Sequence, residues 1–200
     1  MRRLIAALFA VVLLASSAVA QTDPLPSWND GAAKQAIINF VKATTDPASS
    51  ELVPEKDRVA AFDQDGTLWV EHPVYSFLVY ALDKVPALVS AKPGLAGIEP
   101  FKTILTGDKE AIAKLSDAGL EKLLGAIFSG MTVDQFSAEV SSWIQQAKDA
   151  RWKRPYTDLT YLPMQEVLKY LRANSYRTYI VTGGGQDFVR TYVDSRREWF

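Results

Sequence analysis

VAAFDQDGTLWVEH, residues 59–72, decides how this chain is read. An apolar run, Val59-Ala60-Ala61-Phe62, feeds two acids one residue apart, Asp63 and Asp65, and then Gly66 and Thr67. The run, from Arg58 to Phe62, reads as a short buried strand, and the acids as the loop at its carboxyl end. On that loop both side chains can turn towards one pocket. Two ionised carboxylates this close repel, and an uncompensated pair costs stability. The pair makes chemical sense if a divalent cation sits between the acids, or if one carboxyl stays protonated to act as an acid. Mg²⁺ takes oxygen ligands, keeps several waters and often binds through one or two carboxylates plus a substrate phosphate. Gly66 lets the backbone turn tightly, and Thr67 with the nearby amides can donate to an anion. A plain D-x-D-G turn is the bland alternative. A calcium loop of the EF-hand kind is excluded: counted from Asp63, its sixth position is Leu68 rather than Gly and its twelfth is Val74 rather than Glu.

A second loop answers the first. Tyr176 to Val181 is aromatic and β-branched, and reads as a strand. It runs into Thr182-Gly183-Gly184-Gly185, after which a helix restarts near Gln186. A hydroxyl and open amides at a helix start suit an anion. A dinucleotide fingerprint starting at Gly183 would need Gly at 188, which is Phe188, and no Gly-Lys-Ser/Thr phosphate loop is present.

Between these units the chain reads as helical. Apolar spacing predicts a helix from Asp30, as its N-cap, to Thr44. Residues 74–91 form an apolar helix interrupted at Pro86, and 92–100 a turn-rich connector. Two or three short helices follow over 101–130. Thr132 and Gln135 resemble a capping box, opening an amphipathic helix marked by Val133, Phe136, Val140, Trp143, Ile144 and Ala147. Another helix covers about 160–173, with Asn174 as its stop. Strands followed by crossing helices imply an α/β fold with a parallel sheet. Both loops of interest sit at the carboxyl ends of strands, where such sheets bind ligands.

The 200 residues are 48% hydrophobic and 22% charged, with a formal net charge of −1, so overall charge makes no case for nucleic-acid binding. RWKRPY at 151–156 is the nearest basic run and is too short to argue from. Arg2-Arg3, an apolar stretch over Leu4–Ala15 and the small residues to Ala20 form a leader with cleavage expected between Ala20 and Gln21. The apolar stretch is short for a membrane span, which takes ~20 residues. After cleavage the formal charge is −3 and no membrane anchor is expected. The chain has no cysteine and so no disulfide. A periplasmic or secreted bacterial protein is the expectation.

FDQDGT resembles the first motif, D-x-D-x-T, of the haloacid dehalogenase-like (HAD) superfamily, and YIVTGGG looks like its second, a Ser or Thr at a strand end. The region from Asp63 to Arg190 is similar to phosphoserine-phosphatase-like members, which carry a helical cap of the C1 type between these motifs. The resemblance implies a HAD-type Rossmann-like parallel sheet, truncated, with the cap inserted after the first strand. The core would be 21–72 with 156–200, and the cap 73–155. It also implies an Mg²⁺-dependent phosphomonoesterase. Asp63 would be the nucleophile, forming an aspartyl-phosphate, and Asp65 the acid and then the base. Mg²⁺ would be held by the Asp63 carboxylate and the Asp65 backbone carbonyl, and phosphate oxygens by Thr182 and the Gly183 amide. An acid at Asp65 favours phosphoryl transfer over carbon–halogen cleavage, because a halide leaves without a proton.

The sequence also departs from the family. Its two later motifs, a Lys and the acids that complete the Mg²⁺ site, are not found in the fifteen residues after Gly185. Arg190, Arg196 and Arg197 cannot be placed as the missing Lys, and Trp199-Phe200 make an odd apolar terminus. The chain therefore reads as part of a longer enzyme, weakly active or inactive by itself. The alternative from another class is a secreted anion-binding domain or pseudo-enzyme. Glu71 and His72 are candidate substrate contacts, with Glu71 one position out of step with a substrate-sensing Glu of related phosphatases. Trp69, Tyr75, Phe77 and Tyr80 read as cap core. The expected partner is a small phosphorylated substrate. Neither its identity nor the oligomeric state is legible.

Overall fold

The structure, a computed structural model, describes residues 23–193. The expected leader over 1–20 lies outside the described residues, as do Arg196, Arg197, Trp199 and Phe200. No helix among the described residues is long and apolar enough to cross a membrane.

The elements, in chain order, are α1 (Ala32–Thr45), β1 (Val59–Phe62), α2 (Ser76–Ala91), α3 (Phe101–Leu105), α4 (Lys109–Ala113), α5 (Asp117–Phe128), α6 (Val133–Gln146), α7 (Leu162–Ala173), β2 (Arg177–Ile180) and α8 (Gln186–Val193). The architecture is a mixed α/β fold, mostly helical, around a short parallel sheet of the two described strands. Val59 pairs with Arg177 and Phe62 with Ile180. The in-register pairing brings the loops after β1 and β2 to the same edge of the sheet, which is how two segments more than a hundred residues apart come to share a site.

Among the described residues, three apolar clusters hold the fold. One joins the sheet to its helices: Ala60 and Phe62 pack with Leu25, Val41, Val167, Leu171 and Tyr176. Arg58 clamps this junction, its Nε donating to the Val53 carbonyl at 2.9 Å and its Nη1 to the Asn174 carbonyl at 3.2 Å. A second lies within the helices inserted between the strands, where Ala81, Val85, Phe101 and Leu123 are fully buried. The third ties the insertion to the core through Trp69, Tyr80, Ile144, Phe188 and Tyr192. It is an aromatic lattice. Tyr80 lies 5.4 Å from Trp143 edge to face, Trp143 stacks on Tyr156 at 5.7 Å, Phe188 meets Tyr192 at 5.9 Å, and Tyr192 meets Trp69 at 4.2 Å. Offset and edge-to-face pairs of this kind each add about 1 kcal/mol beyond their buried area.

Several local expectations hold. Thr132 and Gln135 form the reciprocal capping box, satisfying two amides at the start of α6. Asn174 caps α7. Others are corrected. Asp30 does not cap α1. The helix starts one residue later behind Gly31, and Asp30 is instead drawn to Lys34, whose Nζ donates to it at 3.0 Å and to Asp23 at 2.5 Å. Pro86 does not interrupt α2, which runs through it. The buried neighbours Ala81 and Val85 hold the helix on course past the missing amide. β1 is not buried on both faces. Ala60 and Phe62 are half-buried, whereas Val59, Tyr179 and Val181 are 50%, 50% and 65% exposed on or beside the strands.

Candidate functional site

The loop after β1 is wound around one carbonyl. The Gln64 oxygen accepts from the amides of Thr67, Leu68 and Trp69 at 3.2, 2.8 and 2.9 Å, and the Gly66 amide returns to the Trp69 carbonyl at 2.8 Å. This tight winding needs a left-handed residue, and Gly66 supplies it at φ +76°. Its Cα face also lies close to Glu71: a Cβ there would stand 2.6 Å from Glu71 Oε2, so that carboxylate would have to swing aside. The Thr67 amide is thus an internal donor of the loop rather than an anion contact, which corrects the expectation for that group.

The two acids receive different surroundings. Asp63 is exposed, with its Oδ1 accepting from the Gln64 amide at 2.8 Å. Asp65 is half-buried. Burial pushes its carboxyl above the usual value. A hydrogen bond from the Gln64 side chain, 3.3 Å long, opposes this, and the charges of Asp63 and Glu71 reinforce it. Gln64 is itself fully buried, so the group that steadies Asp65 is held by packing. Burial raises the Tyr192 hydroxyl too, helped by the Asp65 charge.

The loop after β2 meets the first at its glycines. The Thr182 Oγ accepts from the Gly184 amide at 3.0 Å. A Cβ on Gly184 would lie 3.2 Å from that Oγ and 3.3 Å from Asp65 Oδ2. The glycine therefore fills a gap between a hydroxyl and a carboxylate from opposite ends of the chain. Gly185, at φ +85°, turns the backbone into α8.

Asp63, Asp65, Glu71, Thr182, Gly183 and Gly184 line a single cavity of about 400 Å³. The structure brings together five of the six residues singled out from sequence. His72 stands apart: its side chain is 84% exposed and it pairs with Glu71 at 3.3 Å. The remaining wall comes from the inserted helices, through Tyr75, Phe77, Leu78, Leu120 and Leu124. Tyr75 and Phe77 thus border the cavity rather than forming only core, while Trp69 and Tyr80 are buried as expected. Leu120 and Leu124 were not legible as site residues. Their helical spacing reads the same whether a leucine faces core or cavity.

The donors suit a hard cation: two neighbouring carboxylates, with a third, Glu71, raising the local negative potential. No group of three or more His, Cys, Asp or Glu placed to hold a metal occurs among the described residues. Two carboxylates lie within what Mg²⁺ accepts when waters and a substrate complete its shell, so the residues present fit the ion.

A family model for haloacid dehalogenase-like hydrolases matches residues 60–194. The chain belongs to this family. The match spans both loops and the helical insertion between them, and supports hydrolase chemistry for the HAD-like chain. Members of the family generally use Mg²⁺. No curated protein matches the chain.

Proposed function

We propose that this HAD-like hydrolase is an Mg²⁺-dependent phosphate monoester hydrolase of the phosphoserine-phosphatase-like kind, acting in the periplasm or outside the cell after its leader is cut. The observation that supports the reading is the shared cavity, where a half-buried acid with a raised carboxyl abuts a hydroxyl-and-glycine loop beside a second, exposed carboxylate. In this reading the helices between the strands form a cap over the site.

Asp63 is the better nucleophile of the pair because its side chain is exposed at the mouth of the cavity. Its oxygen bonds to phosphorus while the bond to the leaving oxygen breaks. Asp65, whose carboxyl is raised above its usual value by burial, delivers a proton to that oxygen, so the alcohol departs neutral. Asp65 is then a carboxylate. It takes a proton from water as the water oxygen attacks the aspartyl-phosphate, and the P–O bond to Asp63 breaks to release phosphate. Thr182 and the Gly183 amide hold phosphate oxygens. Asp63, with the backbone of Asp65, would hold Mg²⁺, which when bound neutralises charge on the incoming phosphate.

The test is hydrolysis of p-nitrophenyl phosphate by the chain from Gln21, with Mg²⁺, with chelator, and with Asp63→Asn. Turnover that needs Mg²⁺ and is lost in the variant is expected. Turnover unchanged in Asp63→Asn would overturn the assignment of the nucleophile, and a folded chain that neither turns over the ester nor binds inorganic phosphate with Mg²⁺ would overturn the reading.

A further inference from the structure

The cavity has two chemically distinct walls, and the one facing away from the acids is apolar. Tyr75, Phe77 and Leu78 come from the start of α2, and Leu120 and Leu124 from α5. The two leucines are one helical turn apart, so they share a face. Leu123 and Ile127 belong to the same broad apolar face and are buried in the core, whereas Leu120 and Leu124 lie at its edge and are only half-buried, Leu124 packing against that core as well. α5 therefore carries one apolar face whose edge, Leu120 and Leu124, reaches the cavity that the carboxylates also line.

The wall is rigid. The Phe77 ring stacks on Phe128 at 5.5 Å and meets Phe188 edge to face at 5.2 Å. Its edge lies 3.4 Å from where a Gly185 Cβ would stand. The ring is braced by α5, α8 and the second loop, so its apolar surface is largely formed before a ligand arrives.

Charge sharpens the choice. Asp63, Asp65 and Glu71 all line the cavity, and no Lys, Arg or His does so among the described residues. A leaving group bearing a carboxylate or a second phosphate would bring more negative charge into this space and meet no cation from the described residues. A polyhydroxylated one would give up water against leucines that offer no hydrogen bond. The volume, about 400 Å³, lies in the range of small-molecule pockets and exceeds what a phosphate group fills.

We propose that the substrate is a phosphate monoester of an uncharged, apolar alcohol, aryl or branched alkyl, whose organic part lies against Phe77, Leu120 and Leu124. The proposal rests on the phosphatase reading and narrows it to a substrate class.

The test is equilibrium binding to the Asp63→Asn chain with Mg²⁺, which separates recognition from turnover. The ligands are 1-naphthyl phosphate, glycerol 2-phosphate and inorganic phosphate. Naphthyl phosphate should bind roughly 10- to 50-fold more tightly than the other two, the advantage expected from burying most of an aromatic ring. Leu124→Gln should remove most of that advantage and leave inorganic phosphate affinity unchanged. Tyr75→Ala, at a half-exposed position on the cavity rim, provides a second variant with little risk to folding and should lower the advantage as well. Equal binding of the three ligands, a preference for glycerol phosphate, or a naphthyl preference that neither variant changes would overturn this proposal and leave the phosphatase reading standing. Failure of a folded chain to bind any of the three would overturn both.

Discussion

Gly184 and Asp65 lie so close that a single added methyl at the glycine would come within 3.3 Å of Asp65 Oδ2. The same methyl would press on Thr182 Oγ at 3.2 Å. The close approach sets the two loops side by side at the point where a carboxylate and a hydroxyl must cooperate.

Gly184→Ala should therefore damage activity more than stability. Its backbone is not left-handed, so alanine brings no conformational strain and only forces the two oxygens to give way by a few tenths of an ångström. We expect kcat/KM to fall about 10-fold or more, in line with the sensitivity of catalysis to small misplacements, with unfolding free energy changed by less than about 1 kcal/mol. Thermal unfolding and steady-state kinetics on one preparation check both halves.

Gly66→Ala should do the reverse in proportion. The φ of +76° and the 2.6 Å approach of Glu71 Oε2 both oppose a Cβ, and a non-glycine residue held at such a φ costs about 1–3 kcal/mol. Adding Glu71→Ala relieves the contact but not the dihedral strain. The double variant should recover part of the lost stability in denaturant unfolding and no more.

Asp65→Asn should show a leaving-group signature. Asparagine has no proton to deliver, so esters of ordinary alcohols should lose roughly 10²–10⁴ in kcat/KM. p-Nitrophenyl phosphate, whose leaving group departs without protonation, should lose much less in the bond-breaking step. Burst kinetics would then show intermediate accumulating, because the asparagine cannot activate water. Equal losses for both ester types would count against Asp65 as the acid.

The Asp23–Lys34 pair makes stability depend on pH. The hydrogen bond from Lys34, then that from the Leu25 amide, hold the Asp23 carboxyl below its usual value. A carboxyl lowered on folding contributes stability that is fully present above its unfolded value, about pH 4, and lost as the pH falls through its folded value. Asp23→Asn should therefore be less stable than the parent at pH 7, with the gap closing below about pH 4. Melting temperatures across that range measure it.

The elements that could be read from sequence are those whose signals are local and redundant. The α6 start was legible because Thr132 and Gln135 satisfy each other's neighbouring amides, whatever packs nearby. β1 and β2 stood out by their apolar runs, and the loops after them by chemistry. The start of α1 was misjudged because Asp30 has a competing partner one turn on, Lys34, which a cap preference cannot foresee. Pro86 looked like an interruption because the buried faces that carry α2 past it are set by residues distant in sequence. In the cavity, Asp63, Asp65 and Thr182 were visible as chemistry, whereas Leu120 and Leu124 were hidden. A leucine facing a cavity and a leucine facing a core obey the same periodicity.

The aromatic lattice that runs from Tyr80 through Trp143 and Phe188 to Tyr192 and Trp69 makes the molecule optically self-reporting. Two indoles, one on the insertion and one on the loop behind Asp65, sit within a few ångströms of tyrosine rings. Excitation of those tyrosines should pass to the tryptophans, and the asymmetric ring couplings should give strong near-ultraviolet circular dichroism. Any undocking of the insertion from the sheet would break the ring contacts and dim that signal while leaving the helices' far-ultraviolet band in place, so the seating of one part on the other can be followed without a label.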